Sequence, residues 1–148
     1  MQKRPGKFRG NRPRILAVID DVADAVRYLA KAENSLTGAG RQYWNGRFDN
    51  SANRNYYACF QAAIAALIQA GIRLEKRADR WPHEFVISRF VGDLIHKRHQ
   101  FPPELRRELD EIQLVRHSAD YKSESITEFE AYRALRRTRL FVKAVRQA

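Results

Sequence analysis

The chain has 148 residues, the length of one domain and enough to bury a core without disulfides or metals. Lys+Arg number 28 against 17 Asp+Glu, a net charge of +11, and 44% of residues are hydrophobic. That balance excludes wholesale disorder and points to a polyanionic partner, nucleic acid or an acidic protein.

Residues 1–13 carry Lys3, Arg4, Lys7, Arg9 and Arg12 among Pro5, Gly6, Gly10 and Pro13. This composition predicts a disordered basic arm, either touching RNA phosphates by charge or simply solvated. From Arg14 the pattern turns helical, with Ile15, Ile19, Val22, Val26 and Leu29 recurring at spacings of three and four. The segment continues towards Trp44. Gly38 and Gly40 make it either one bent helix or two, and Asn45-Gly46 predicts a turn. Asp49-Asn50-Ser51 offers capping oxygens for a second helix, which runs through Tyr56, Tyr57, Phe60, Ile64, Leu67 and Ile68 to Gly71. Its many alanines mark a closely packed central helix. Of the adjacent Tyr56 and Tyr57, one faces the core and the other a groove or an interface.

A charged loop is expected over 72–81. Pro82 then opens a third helix with Phe85, Val86, Phe90, Val91, Leu94 and Ile95 on its buried side, ended by Phe101-Pro102-Pro103. Pro103 opens a fourth, with Leu105, Leu109, Ile112, Val115 and Ala119 inward. After polar residues 122–125, Ser125 or Thr127 caps a last helix through Phe129, Tyr132, Leu135, Leu140, Phe141 and Val145. No strand-period segment and no internal repeat is present. The expected fold is all-α: an antiparallel up-down bundle of about five helices, with residues 14–148 as a single domain.

Cys59 is the only cysteine, so no intrachain disulfide can form. It reads as a small core residue and fits a reducing cytoplasm. No apolar run approaches the ~18 residues of a membrane-spanning helix, and no apolar segment follows the basic N-terminus as in a secretory signal. His83, His96, His99 and His117 show no zinc spacing, although His96 and His99 could share a helix face. No glycine-rich loop cradles a phosphate. Neither a metal nor a cofactor is therefore expected.

The chemistry concentrates in Arg116-His117-Ser118-Ala119-Asp120-Tyr121. An arginine can hold a phosphate, and a histidine can move a proton near neutral pH. Arg116 and Asp120 are i,i+4, so an intrahelical ion pair is the plain alternative. At ~100° per residue, Tyr121 falls ~140° round the helix from Arg116, so the two meet only around a groove or across a helix end. The last helix carries Arg133, Arg136, Arg137, Arg139, Lys143 and Arg146, either a solvated face or a phosphate track.

Three segments together resemble the HEPN domain (higher eukaryotes and prokaryotes nucleotide-binding), in particular its small prokaryotic stand-alone branch. Ala30-Lys31-Ala32-Glu33-Asn34-Ser35-Leu36 is similar to the family's first-helix Lys-Ala-Glu pattern. The run from Ser51 to Ala63, with Arg54, Tyr56, Tyr57, Ala58 and Phe60, resembles its R-x-Y-Y-A-x-F-x-A-A helix. The hexapeptide resembles its R-x-x-A-D-Y element, and His83 precedes a short apolar helix as a histidine often does in this branch.

The resemblance implies a four- or five-helix bundle, usually dimeric, that binds RNA or cleaves it without a metal. It also implies the toxin role in a prokaryotic toxin-antitoxin pair, with a nucleotidyltransferase-type antitoxin. On this chain it implies Arg116 on the phosphate, Asp120 and Tyr121 orienting it or the 2′-hydroxyl, and His117 or His83 carrying the proton. Arg54, Arg133, Arg136 and Arg137 are the implied nucleic-acid contacts. The family's catalytic signature is R-x(4–6)-H. Here the corresponding positions are Asp120, Tyr121 and Lys122, so Tyr121 stands where the histidine is expected. Endoribonuclease activity is thus one reading. The alternative is a non-catalytic module that binds a nucleotide or a nucleotidyltransferase partner.

Overall fold

The computed structural model describes residues 13–74 and 80–148. The basic arm expected over 1–13 lies almost wholly outside the described residues, as does the middle of the charged loop. Among the described residues all regular structure is helical. The order is α1 (Arg14–Trp44), α2 (Phe48–Gln69), α3 (His83–Arg89) running directly into a π-helical stretch (Phe90–Lys97), α4 (Glu104–Tyr121) and α5 (Glu128–Gln147). The expected all-α bundle is what forms.

α2 is the central helix because its sequence lets it be buried nearly all round. Tyr56, Cys59, Phe60, Ile64, Leu67 and Ile68 supply volume, while Ala52, Ala58, Ala62, Ala63, Ala65 and Ala66 let neighbouring backbones approach. It packs against every other helix, most extensively against α1, which buries Ala25, Ala32, Ser35, Ala39 and Gly40. Phe90, Leu94, Ile112, Phe141, Val142 and Val145 fill the other side of the core.

Gly38 and Gly40 do not break α1, which is a single helix. Their missing side chains serve contact instead: a Cβ on Gly38 would meet the Arg54 side chain at 3.6 Å. The turn at Asn45-Gly46 forms, with Gly46 at a φ of 74° that favours glycine. The Asp49-Asn50-Ser51 cap does not. α2 begins earlier, at Phe48, and no side chain caps it. The tight turn places these residues inside the first helical turn, where they make tertiary bonds. Asp49 Oδ1 accepts from the Ile126 amide at 3.0 Å, and Ser51 Oγ donates to the Ala39 carbonyl at 2.9 Å.

Pro82 and Pro103 stand just before their helices rather than within them. The third helix widens from Phe90 onward, where the Arg98 amide reaches back five residues to Asp93 O at 2.9 Å. His99 lies beyond its end at φ 51°, so it does not share a helix face with His96. Thr127, not Ser125, caps α5: its Oγ1 accepts from the Glu130 amide, and Glu130 accepts from the Thr127 amide. Along α5, Leu135, Phe141 and Val145 are buried, whereas Phe129, Tyr132 and Leu140 face solvent. The apolar stripe that opens α1 also lies outside the core: Ile15, Ile19, Val22 and Val26 are 69%, 56%, 58% and 62% exposed. Among the described residues no helix is long and apolar enough to cross a membrane.

Candidate functional site

The first turns of α2 and the last turns of α4 lie side by side, and Asp120 ties them. Its Oδ1 accepts from Asn53 Nδ2 at 3.0 Å, and its Oδ2 stands 3.5 Å from Arg116 Nε. The second contact is an ion pair without a hydrogen bond; Arg116 Nε is buried and has no hydrogen-bond partner. The guanidinium lies over the Tyr56 ring, with Cζ 4.4 Å from the centroid, and 5.7 Å from that of Tyr57. Among the described residues it makes no hydrogen bond, so its planar fork of donors is uncommitted. The tyrosine pair divides as the sequence suggests: Tyr56 is buried, and Tyr57 is exposed beside it, edge to face.

His83 joins this cluster from the start of α3. Its Nδ1 hydrogen-bonds the Tyr56 hydroxyl, and its ring stacks on Phe60 with centroids 4.2 Å apart. The residue is exposed, but that packing partly desolvates the ring and holds its pKa below the usual histidine value, with the Arg116 charge adding to the effect. Burial pushes the Tyr56 hydroxyl above the ordinary tyrosine value, against the opposing pull of Arg116 and Gln113. Both groups are therefore neutral at pH 7. The Tyr56 contact fixes Nδ1 and leaves Nε2 as the ring nitrogen without a partner among the described residues.

A cleft of about 420 Å³ opens over Arg116, lined by Tyr56, Gln113, His117, Asp120 and Tyr121, with Asp110 and Leu114 completing it. Four expected residues, Arg116, His117, Asp120 and Tyr121, thus meet in one place, and His83 reaches them through Tyr56. Tyr121 is 76% exposed, and its ring lies 4.7 Å from that of His117. His117 and Tyr121 are i,i+4 neighbours, whereas Arg116 and Tyr121 share the cleft at the C-terminal end of α4. The other expected residues lie elsewhere. Arg54 leans on Gly38. Arg137 hydrogen-bonds both Glu108 oxygens at 3.1 Å. Arg133 covers Phe129, with Cζ 5.6 Å from the ring centroid, and Arg136 is exposed. None of these four lines the cleft.

Asn53 and Gln113 were not read from the sequence as parts of a site, and His83, which was, was not linked to Tyr56. Gln113 is three residues before Arg116, and that spacing on a helix could have placed it on the same face. Nothing local links Tyr56 to His83 across 27 positions. Among the described residues no group of three or more His, Cys, Asp or Glu side chains is placed to hold a metal ion.

The cleft therefore presents a guanidinium that makes no hydrogen bond among the described residues, a tyrosine whose hydroxyl bonds His83 outside the lining, and an exposed aromatic ring, a set suited to a phosphate-bearing ligand. No curated protein matches the chain. The HEPN domain family model matches residues 25–148, a span that contains every residue of the cleft and of the His83–Tyr56 pair. The chain belongs to the HEPN domain family.

Proposed function

We propose that this HEPN domain is a metal-independent endoribonuclease and the toxin of a toxin-antitoxin pair, held in check by a nucleotidyltransferase-type antitoxin. One observation carries the reading. The unbonded Arg116 guanidinium stacks on Tyr56, whose hydroxyl holds His83. Arg116 receives the non-bridging oxygens of a phosphodiester. His83, kept neutral, takes the proton of the 2′-hydroxyl. The 2′-oxygen then bonds to phosphorus, and the bond to the 5′-oxygen breaks. His117, at the cleft wall and carrying its own proton, gives it to that leaving oxygen, and exchange with solvent then deprotonates His83 and reprotonates His117. Tyr121 offers a ring on which a neighbouring base stacks, a role that needs no histidine at its position.

The test is purified protein with RNA in EDTA, comparing wild type with Arg116→Ala and His83→Gln. Wild type should leave 2′,3′-cyclic phosphate ends, and both variants should lose them. Equal cleavage in all three, or none in any, removes the nuclease reading. The second reading, a non-catalytic module binding a nucleotide or a protein partner, draws on the Asn53–Asp120–Arg116 chain that fastens α4 to α2. There Arg116→Ala lowers the melting temperature and changes no activity.

The toxin role is checked by expression in cells, where growth arrest should need Arg116 and be relieved by the antitoxin. A homodimer belongs to the same proposal; light scattering showing a monomer at micromolar concentration counts against a cleft shared by two chains.

A further inference from the structure

The last turns of α1 and the middle of α5 enclose a second, open groove of about 550 Å³. Gly40 lines it, and a Cβ there would lie 4.0 Å from Arg139 Nη2, so the Arg139 guanidinium lies close over bare backbone. Arg41 and Trp44 line the same groove, and Asn45 adds an amide. Trp44 is 80% exposed, yet it is not a loose side chain. Its ring meets Tyr43 edge-on at 5.3 Å, and Tyr43 is braced in turn by Phe48 at 5.7 Å and Tyr132 at 6.0 Å.

The charges here contrast with those nearby. Arg146 is paired with Glu33 and Arg137 with Glu108, each at 3.1 Å. Among the described residues Arg41 and Arg139 have no carboxylate partner, and no acidic residue lines the groove. Glu128 interacts with Tyr43 and does not line it. A braced, exposed indole beside two unpaired guanidinium groups is the chemistry that holds an unstacked base between its own phosphates. A duplex keeps its base faces covered and cannot use it.

We propose that this groove binds single-stranded RNA, with a base stacked on Trp44 and the flanking phosphates on Arg41 and Arg139. The ligand rests on the RNA reading given above. The surface is separate, sharing no lining residue with the Arg116 cleft, and binding there does not require that cleft to cut.

The experiment uses the full chain labelled with 5-fluorotryptophan. ¹⁹F NMR then resolves the two tryptophans, assigned with Trp44→Leu. A short oligouridylate should shift the Trp44 resonance saturably and leave that of the buried Trp81 in place. In fluorescence anisotropy, Trp44→Leu and Arg41→Gln/Arg139→Gln should each weaken oligouridylate binding about tenfold or more, as expected for one stacked base and its phosphates. Inorganic polyphosphate and duplex RNA should not reproduce the Trp44 shift. An equal shift with polyphosphate, or with polyglutamate as a stand-in for an acidic protein, overturns the proposal, as does unchanged affinity in Trp44→Leu. A saturable Trp44 shift in a protein that cuts no RNA supports the groove and removes only the nuclease. Cleavage abolished by Arg116→Ala, with no Trp44 shift in wild type, does the reverse.

Discussion

Arg116→Lys separates the charge of the site from its shape. In the wild type the guanidinium lies 4.4 Å from the Tyr56 centroid, and its side chain is 32% exposed. A cation–π contact at such a partly buried position is worth about 1 kcal/mol. The ion pair with Asp120, a third exposed on both sides, adds a few tenths at most, and lysine keeps part of it. The variant should therefore lose about 1 kcal/mol, a fall in melting temperature of about 2–4 °C at this chain length. The planar fork can give two parallel hydrogen bonds to a phosphate, whereas an ammonium acts as a point charge. Hydrogen bonds to charged groups contribute about 1.5–3 kcal/mol. Losing one while keeping the charge should lower single-turnover cleavage about tenfold, and Arg116→Ala about 100-fold. Circular dichroism melts and cleavage time courses in matched buffer supply both numbers. A lysine variant with wild-type melting and wild-type rate would refute the stacked-fork reasoning, because charge alone would then suffice.

His83 should set the acid limb of the pH–rate profile, with a midpoint below the ordinary histidine value of about 6.5, because partial desolvation and Arg116 lower its pKa; whatever residual cleavage His83→Gln keeps should lack that limb. The same shift affects stability. The unfolded chain protonates first, so the His83 contribution is present above about pH 6.5 and is lost as pH falls from there through the lower folded value. Melting temperatures of wild type and His83→Gln, taken from pH 8 down to pH 5, should therefore converge, and a gap that stays constant over that range would refute the assignment. Thr127→Ala removes the hydroxyl that accepts from the Glu130 amide, leaves the Thr127 amide to donate to Glu130, and should cost about 1 kcal/mol, seen as a melting shift of about 2–4 °C; Ser125→Ala should leave the melt unchanged. Burial pushes the Cys59 thiol up to about 12, so a thiol reagent should label it only at the rate of unfolding. Rapid labelling in native buffer would show that α2 is not closed around it.

Much of this architecture was legible because helical spacing records burial directly. The alanine-rich run from Ala52 to Ala66 announced a central helix, and Ser125 or Thr127 marked the start of α5, of which Thr127 is the cap. The π-helical stretch was not legible, since Phe90, Leu94 and Ile95 also satisfy an ordinary helical period. Asp49 and Ser51 misled because capping residues are identified by type, while their use depends on where the turn ends. At the site, Arg116 with Asp120 could be placed from sequence alone because helix geometry fixes i,i+4 neighbours. His83 on Tyr56 joins two distant segments, and only the fold brings them together. Tyr43, Phe48 and Tyr132 escaped for the same reason, and with them the bracing of Trp44.

The flank formed by Ile15, Ile19, Val22 and Val26 gives the molecule two surfaces with opposite responses to ionic strength. Phosphate contacts weaken as salt rises, because bound counterions are no longer released at a profit in entropy. Copies of a chain with net charge +11 repel one another in dilute salt. As the screening length contracts from ~10 Å at 0.1 M to ~3 Å at 1 M, that repulsion fades, and burial of the aliphatic flank between copies becomes favourable. On the proposed RNA-binding role, rising salt would therefore weaken the hold on RNA while favouring contact between copies. If both the RNA role and contact along α1 hold, a high-salt wash that strips nucleic acid would favour association through this flank, and a particle size measured in that wash would differ from one measured in dilute salt.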